Sequence, residues 1–136
     1  MKKMILALLV LITITTSCRV TKTVVMLHAK NRATQTDENY MSGKHNAVDF
    51  LGFSSEQKKQ VDEVWKTEKH DFSEIKLENE NIAPIVYKSE NAFRAVLTSE
   101  QLKNYKALWD KGDGRLDAYF LDDSMLAEIK RIYIDK

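Results

Sequence analysis

Two short strings, Ser54-Ser55-Glu56-Gln57 and Thr98-Ser99-Glu100-Gln101, constrain the fold of this chain more than any other feature. Each is a capping box: the Ser or Thr oxygen accepts the amide of the third helical residue, and the glutamine side chain reaches back to the cap. A helix is therefore expected to start at both. After the first box, Val61, Val64, Trp65, Glu68, Phe72 and Ile75 recur at steps of three and four. They lie beside a charged face of Lys58, Lys59, Asp62, Glu63, Lys66 and Lys69, which predicts a helix to about Leu77. The run Glu78-Asn79-Glu80-Asn81 closes it, and Pro84, the only proline, suits the first turn of a second helix over roughly Ala83 to Val96. Ile85, Val86, Ser89, Ala92, Phe93 and Val96 share its face.

Leu97 and Leu102 flank the second box as a hydrophobic staple, so the chain turns sharply into a third helix. That helix carries Leu102, Tyr105, Leu108 and Trp109 and ends near Lys111, with Gly112 placed for the left-handed C′ conformation. A fourth helix is expected to start at Asp122 or Asp123 and to bury Leu126, Ile129, Ile132 and Tyr133. The fold class that follows is all-α: short helical hairpins or a small bundle of about four helices over residues 50–136.

The chain begins in another style. Met1-Lys2-Lys3 precedes the apolar run Met4 to Ile12, and small residues lead to Cys18, which is the order of a secretory signal peptide over residues 1–17. Cys18, the single cysteine, follows Thr15, Thr16 and Ser17, and this arrangement resembles a bacterial lipobox with Thr15 where Leu is usual. In such sequences the thiol receives diacylglycerol before cleavage, so Cys18 is the expected lipidation site and first residue of a membrane-tethered protein. Cleavage by an ordinary signal peptidase near Ser17 is the competing expectation. Residues 18–49 are polar and mixed and read as a lipidated flexible tether, although Val20 to Leu27 is apolar and β-branched enough for a strand or for docking on the domain. The expected location is the bacterial cell envelope, lipid-anchored and facing the periplasm.

Composition narrows the function classes. The 136-residue chain less its leader is one domain long, with 21 Lys+Arg against 20 Asp+Glu, and the leader removes two of the lysines. A near-neutral chain of this kind is not expected to bind nucleic acid. With Cys18 acylated no internal disulfide can form, so stability has to come from packing.

The two capping boxes also carry a family resemblance. Leu51-Gly52-Phe53-Ser54-Ser55-Glu56-Gln57 and Leu97-Thr98-Ser99-Glu100-Gln101 resemble the paired LTxxQ motifs of the Spy/CpxP-like periplasmic proteins; in the first copy Phe53 and Ser54 stand for Leu and Thr. The resemblance covers about Leu51 to Trp109. It implies a helical, commonly dimeric protein that binds unfolded or stress-damaged envelope proteins without ATP, as a chaperone or adaptor. Under that reading Trp65, Phe72, Phe93 and Trp109 are the candidate client-binding side chains, with core packing as their ordinary alternative. Leu51, Phe53, Ser54, Gln57, Leu97, Thr98 and Gln101 are expected to be structural, fixing a corner between helices.

Chemistry is sparsely provided for. His28 and His45 fall in the expected tether, and no H-x-x-x-H or H-E-x-x-H spacing occurs. His70 with Glu74 and Glu63 is the only fragment of a zinc site, and it supports an alternative reading as a metal-responsive or regulatory module. Asp110, Asp113 and Asp117 lack the ligand spacing of a calcium loop. Ser54, Ser55 and Thr98 have no neighbouring histidine, so no catalytic residue, no resident metal and no cofactor are expected. A structural lipoprotein with one dedicated protein partner is the third reading.

Overall fold

The computed structural model describes residues 23–112 and 114–136, all helix and turn with no strand among them. The leader, Cys18 and Val20 lie outside the described residues. Six α-helices are present among the described residues: α1 over residues 23–34, α2 Asp37–Val48, α3 Ser55–Ser73, α4 Asn79–Val96, α5 Ser99–Lys111 and α6 Asp123–Ile129. A 3₁₀ turn, Asp49–Leu51, joins α2 to α3, and a π turn, Lys130–Ile134, extends α6.

The all-α class is as expected, and both boxes form with their reciprocal bonds at the starts of α3 and α5. Gly112 takes the left-handed conformation at φ 65° and closes α5 onto the Trp109 carbonyl. Asp122 caps α6 by accepting from the Met125 amide.

α3 ends at Ser73 rather than near Leu77, where the chain turns ahead of the early start of α4, and of Leu126, Ile129, Ile132 and Tyr133 only Ile129 is buried, the other three being half-buried. Two larger expectations also need correction. Residues 23–49 are not a flexible tether: α1 and α2 bury Val25, Met26, Ala29, Tyr40, Ala47 and Val48. The folded body therefore begins at least as early as residue 23, and residues 23–27 are helix rather than strand. The second correction is Pro84, which stands in the second turn of α4, because α4 starts at Asn79. Its missing N–H would have met the Glu80 carbonyl on the exposed side of the helix, whereas starting early buries Ile82 and Ala83 completely.

α3 and α4 pack as an antiparallel hairpin that contributes to two apolar clusters. Around Trp65 gather Tyr40, Val48, Leu51, Val61, Phe93, Tyr105, Leu116 and Phe120. Around Phe72 gather Val25, Met26, Ala29, Ile82, Ala83, Val86, Leu121 and Ile129. The aromatic contacts in the first cluster are tilted or edge-on, with Phe93 centred 4.9 Å from Phe120 and 5.4 Å from Tyr105. Lys69 fixes the end of α1 from across the groove, donating to the carbonyls of Ala33 at 2.7 Å and Gln35 at 2.6 Å.

Candidate functional site

The two capping boxes, 44 residues apart, meet in space through their glutamines. Gln57 Nε2 donates to Gln101 Oε1 at 2.6 Å, and Gln101 Nε2 donates to Gln57 Oε1 at 3.1 Å. Each amide oxygen also accepts the backbone N–H of its own cap, Ser54 at 3.1 Å and Thr98 at 2.9 Å. Each amide nitrogen also donates to a carbonyl at the other motif: Gln57 to Val96 at 3.1 Å and Gln101 to Leu51 at 3.1 Å. Every donor and both lone pairs of the two amides are thereby used. The result is a nearly two-fold polar clasp that holds the starts of α3 and α5 together, over Phe53, Leu97 and Leu102 packed on the Trp65 cluster. The sequence motifs predicted the caps and the corner; the pairing across the corner was visible only as the repeated glutamine.

A second constellation was not anticipated. Between the two apolar clusters lies a layer of buried polar and charged side chains: Arg32, Lys44, Glu68, Glu90 and the neutral Ser89. In α3, Glu68 falls between Trp65 and Phe72, and in α4, Ser89 and Glu90 fall between Val86 and Phe93. Glu68 Oε1 accepts from Tyr40 Oη at 2.6 Å and from Arg32 Nε at 3.2 Å, and it pairs with Lys44 Nζ at 3.1 Å. The carboxylate thus ties α1 and α2 to α3. Glu90 binds Arg94 Nε at 2.8 Å, Tyr105 Oη at 2.8 Å and the Leu121 amide at 2.8 Å, tying α4 to α5 and to the segment before α6.

Burial alone would raise the Glu68 carboxyl, but Lys44 and Arg32 overcome that and hold it down at about 2. Burial pushes the Lys44 ammonium down to about 8 against the pull of Glu68. Lys44 is fully enclosed: it donates to the Tyr119 carbonyl at 3.1 Å and lies 4.7 Å from the Phe120 ring centre, 5.4 Å from Tyr40 and 5.7 Å from Trp65. Burial, and then the neighbouring glutamate, raises both the Tyr40 and Tyr105 hydroxyls. Both tyrosines therefore remain protonated donors. The layer is closed to solvent and its groups satisfy one another, so its work is to join helices.

The candidate client-binding aromatics are placed otherwise than that role requires. Trp65, Phe72 and Phe93 are core residues, buried to 3 % exposure or less. Trp109 alone is half-buried, its ring 6.4 Å from Tyr105. Their spacing on α3 and α4 reports packing of the hairpin. The large apolar side chains left exposed are Val24, Leu27, Phe50 and Ile134.

His70 lines a cleft of about 450 Å³ between α2 and α3 with Asp37, Tyr40, Met41, Lys66 and Lys69, and neither Glu63 nor Glu74 lines it. Among the described residues no group of three His, Cys, Asp or Glu side chains is placed to hold a metal ion. His45, expected in the tether, instead pairs with Asp62 at 2.6 Å and sets its ring edge-on to Trp65. Among the described residues no helix is long and apolar enough to cross a membrane. Comparison with family models, curated proteins and solved structures finds no match.

Proposed function

We propose that this chain is a cell-envelope lipoprotein, exported through its leader and anchored at Cys18, which binds unfolded or stress-exposed envelope proteins as an ATP-independent chaperone or adaptor. The observation that carries the reading is the clasp between the two LTxxQ-like motifs. A repeated motif that closes on itself to set one helix corner is what a shared scaffold would retain. It is not an enzyme in this reading, and it carries the family's dimeric habit with it.

With Trp65, Phe72 and Phe93 buried, the client surface in this reading lies on the exposed side chains of the 3₁₀ turn and the C-terminal turn, Phe50 and Ile134. The same observation favours a second reading, a structural lipoprotein holding one folded partner, because with the aromatics in the core few large apolar side chains among the described residues are left to hold unfolded chains. A light-scattering assay separates the two. The mature chain with Cys18→Ser is mixed with a chemically denatured model protein at rising ratios. Suppression of aggregation near stoichiometry, weakened by Phe50→Ser, is expected of the chaperone; unchanged aggregation at every ratio excludes it and leaves the dedicated partner.

A further inference from the structure

α1 presents a divided surface. Val25, Met26, Ala29 and Arg32 are buried against the hairpin, which fixes the rotation of the helix, while Val24, Leu27, Asn31 and Thr34 face solvent. Leu27 is 55 % exposed and Val24 38 %, and they lie one turn apart at the end of α1 nearer the leader; the far end of that face is polar. Helix α1 thus carries an apolar spot at the end where the chain comes in from Cys18.

The connection from Cys18 to α1 is short. Only residues 19–22 intervene, and five extended steps reach at most about 18 Å. With Cys18 in a bilayer, the near end of α1 stays within about 18 Å of the anchor, so the body cannot swing far from the membrane. Along the chain the charge of this stretch is one-sided: after Cys18, Arg19, Lys22 and Lys30 precede the first acid, Asp37. Basic residues beside an apolar helical spot suit the headgroup region of an anionic membrane, where each adds electrostatic attraction and the apolar side chains insert shallowly.

We propose that the Val24–Leu27 face of α1 is a membrane-docking surface for anionic lipid, which holds the leader end of α1 against the bilayer that carries the anchor. This rests on the lipoprotein reading above, and it replaces a domain roaming on a long tether by one with a fixed face toward the membrane.

The test uses the full chain, expressed with its leader and taken from bacterial membranes into vesicles of phosphatidylethanolamine and phosphatidylglycerol, or of phosphatidylcholine alone. An environment-sensitive fluorophore is placed on Leu27→Cys or, as control, on Lys103→Cys in α5; both positions are exposed, so neither substitution disturbs the core. Mass spectrometry of the N-terminal peptide reports whether Cys18 is acylated. With Cys18 acylated, the position-27 probe is expected to shift to the blue and to be quenched several-fold more strongly than the position-103 probe by headgroup-labelled nitroxide lipid, in the anionic vesicles above all. An acylated chain whose position-27 probe stays aqueous overturns the docking surface and leaves the anchor standing. A blue shift that nitroxide lipid does not quench means that another protein copy covers the face, which also overturns it, and equal quenching in phosphatidylcholine overturns the assignment to anionic lipid. Cys18 without acyl chains removes the anchor and the docking surface together.

Discussion

Replacing Glu68 by Gln tests how far the buried charge layer governs stability. The amide keeps the shape and can still accept from Tyr40, but it removes the counter-charge of Arg32, 3 % exposed, and Lys44, 2 % exposed, and leaves two cations enclosed. Removing one partner of a buried ion pair costs about 3–5 kcal/mol, and the presence of two stranded cations puts this case at the upper end. Against a total stability of about 5–15 kcal/mol for a domain, that is a large fraction. At about 4 °C per kcal/mol for a chain of this size, Tm is expected to fall by about 12–20 °C. The assay is urea unfolding followed by the emission of Trp65, which is fully buried and lies 5.7 Å from Lys44. The companion variant is Lys44→Met. In the double variant Glu68→Gln/Lys44→Met only Arg32 is stranded, so the two losses are expected to be smaller together than their sum by at least about 1 kcal/mol. Additive losses, or a Glu68→Gln cost below about 1 kcal/mol, would refute the claim that the helices are joined through an enclosed charge pair.

Other outcomes follow from the same geometry. The Glu68 carboxyl is held at about 2 in the folded chain against an ordinary 4.5, so the folded state binds fewer protons in that interval. Its contribution of about 3 kcal/mol is present above pH 4.5 and is lost as pH falls toward 2, a decline that acid titrations of urea midpoints should show and that Glu68→Gln should make shallower by about that amount. Lys44 has the opposite pattern, about 8 folded against 10.5, so its burial becomes less costly as pH rises through that window and Lys44→Met should flatten the rise. Gln57→Ala and Gln101→Ala should each cost about 1–2 kcal/mol, with a coupling of about 1 kcal/mol in the double-mutant cycle; zero coupling would mean that the caps act separately. Gly43 lies beneath the Tyr119 hydroxyl, where a Cβ would overlap it, so Gly43→Ala should destabilise by about 1–3 kcal/mol and Tyr119→Phe should recover part of that loss.

What the sequence determined by itself was the helix ends that carry their own capping residues and the apolar stripe between them. Ser54, Thr98, Asp122 and Gly112 mark helix ends because the groups they satisfy lie three or so residues away, and the stripe on α3 is legible because Val61, Trp65 and Phe72 are apolar. The tertiary structure decided the rest through partners far along the chain. Tyr40, Lys44, Ala47 and Val48 follow a perfect helical period, as do Val25, Ala29 and Arg32, yet a cation at a core position of each makes the segment read as polar. Only Glu68, 36 residues beyond Arg32, makes those positions habitable, so α1 and α2 looked like tether. The same holds for Pro84, tolerated inside α4 because Ile82 and Ala83 find a core, and for Gln57 and Gln101, which carry the signature of two caps and the function of one clasp. Local capping energies are written in adjacent residues; a buried charge is stable only where the fold delivers its counter-ion, and no window of sequence contains both.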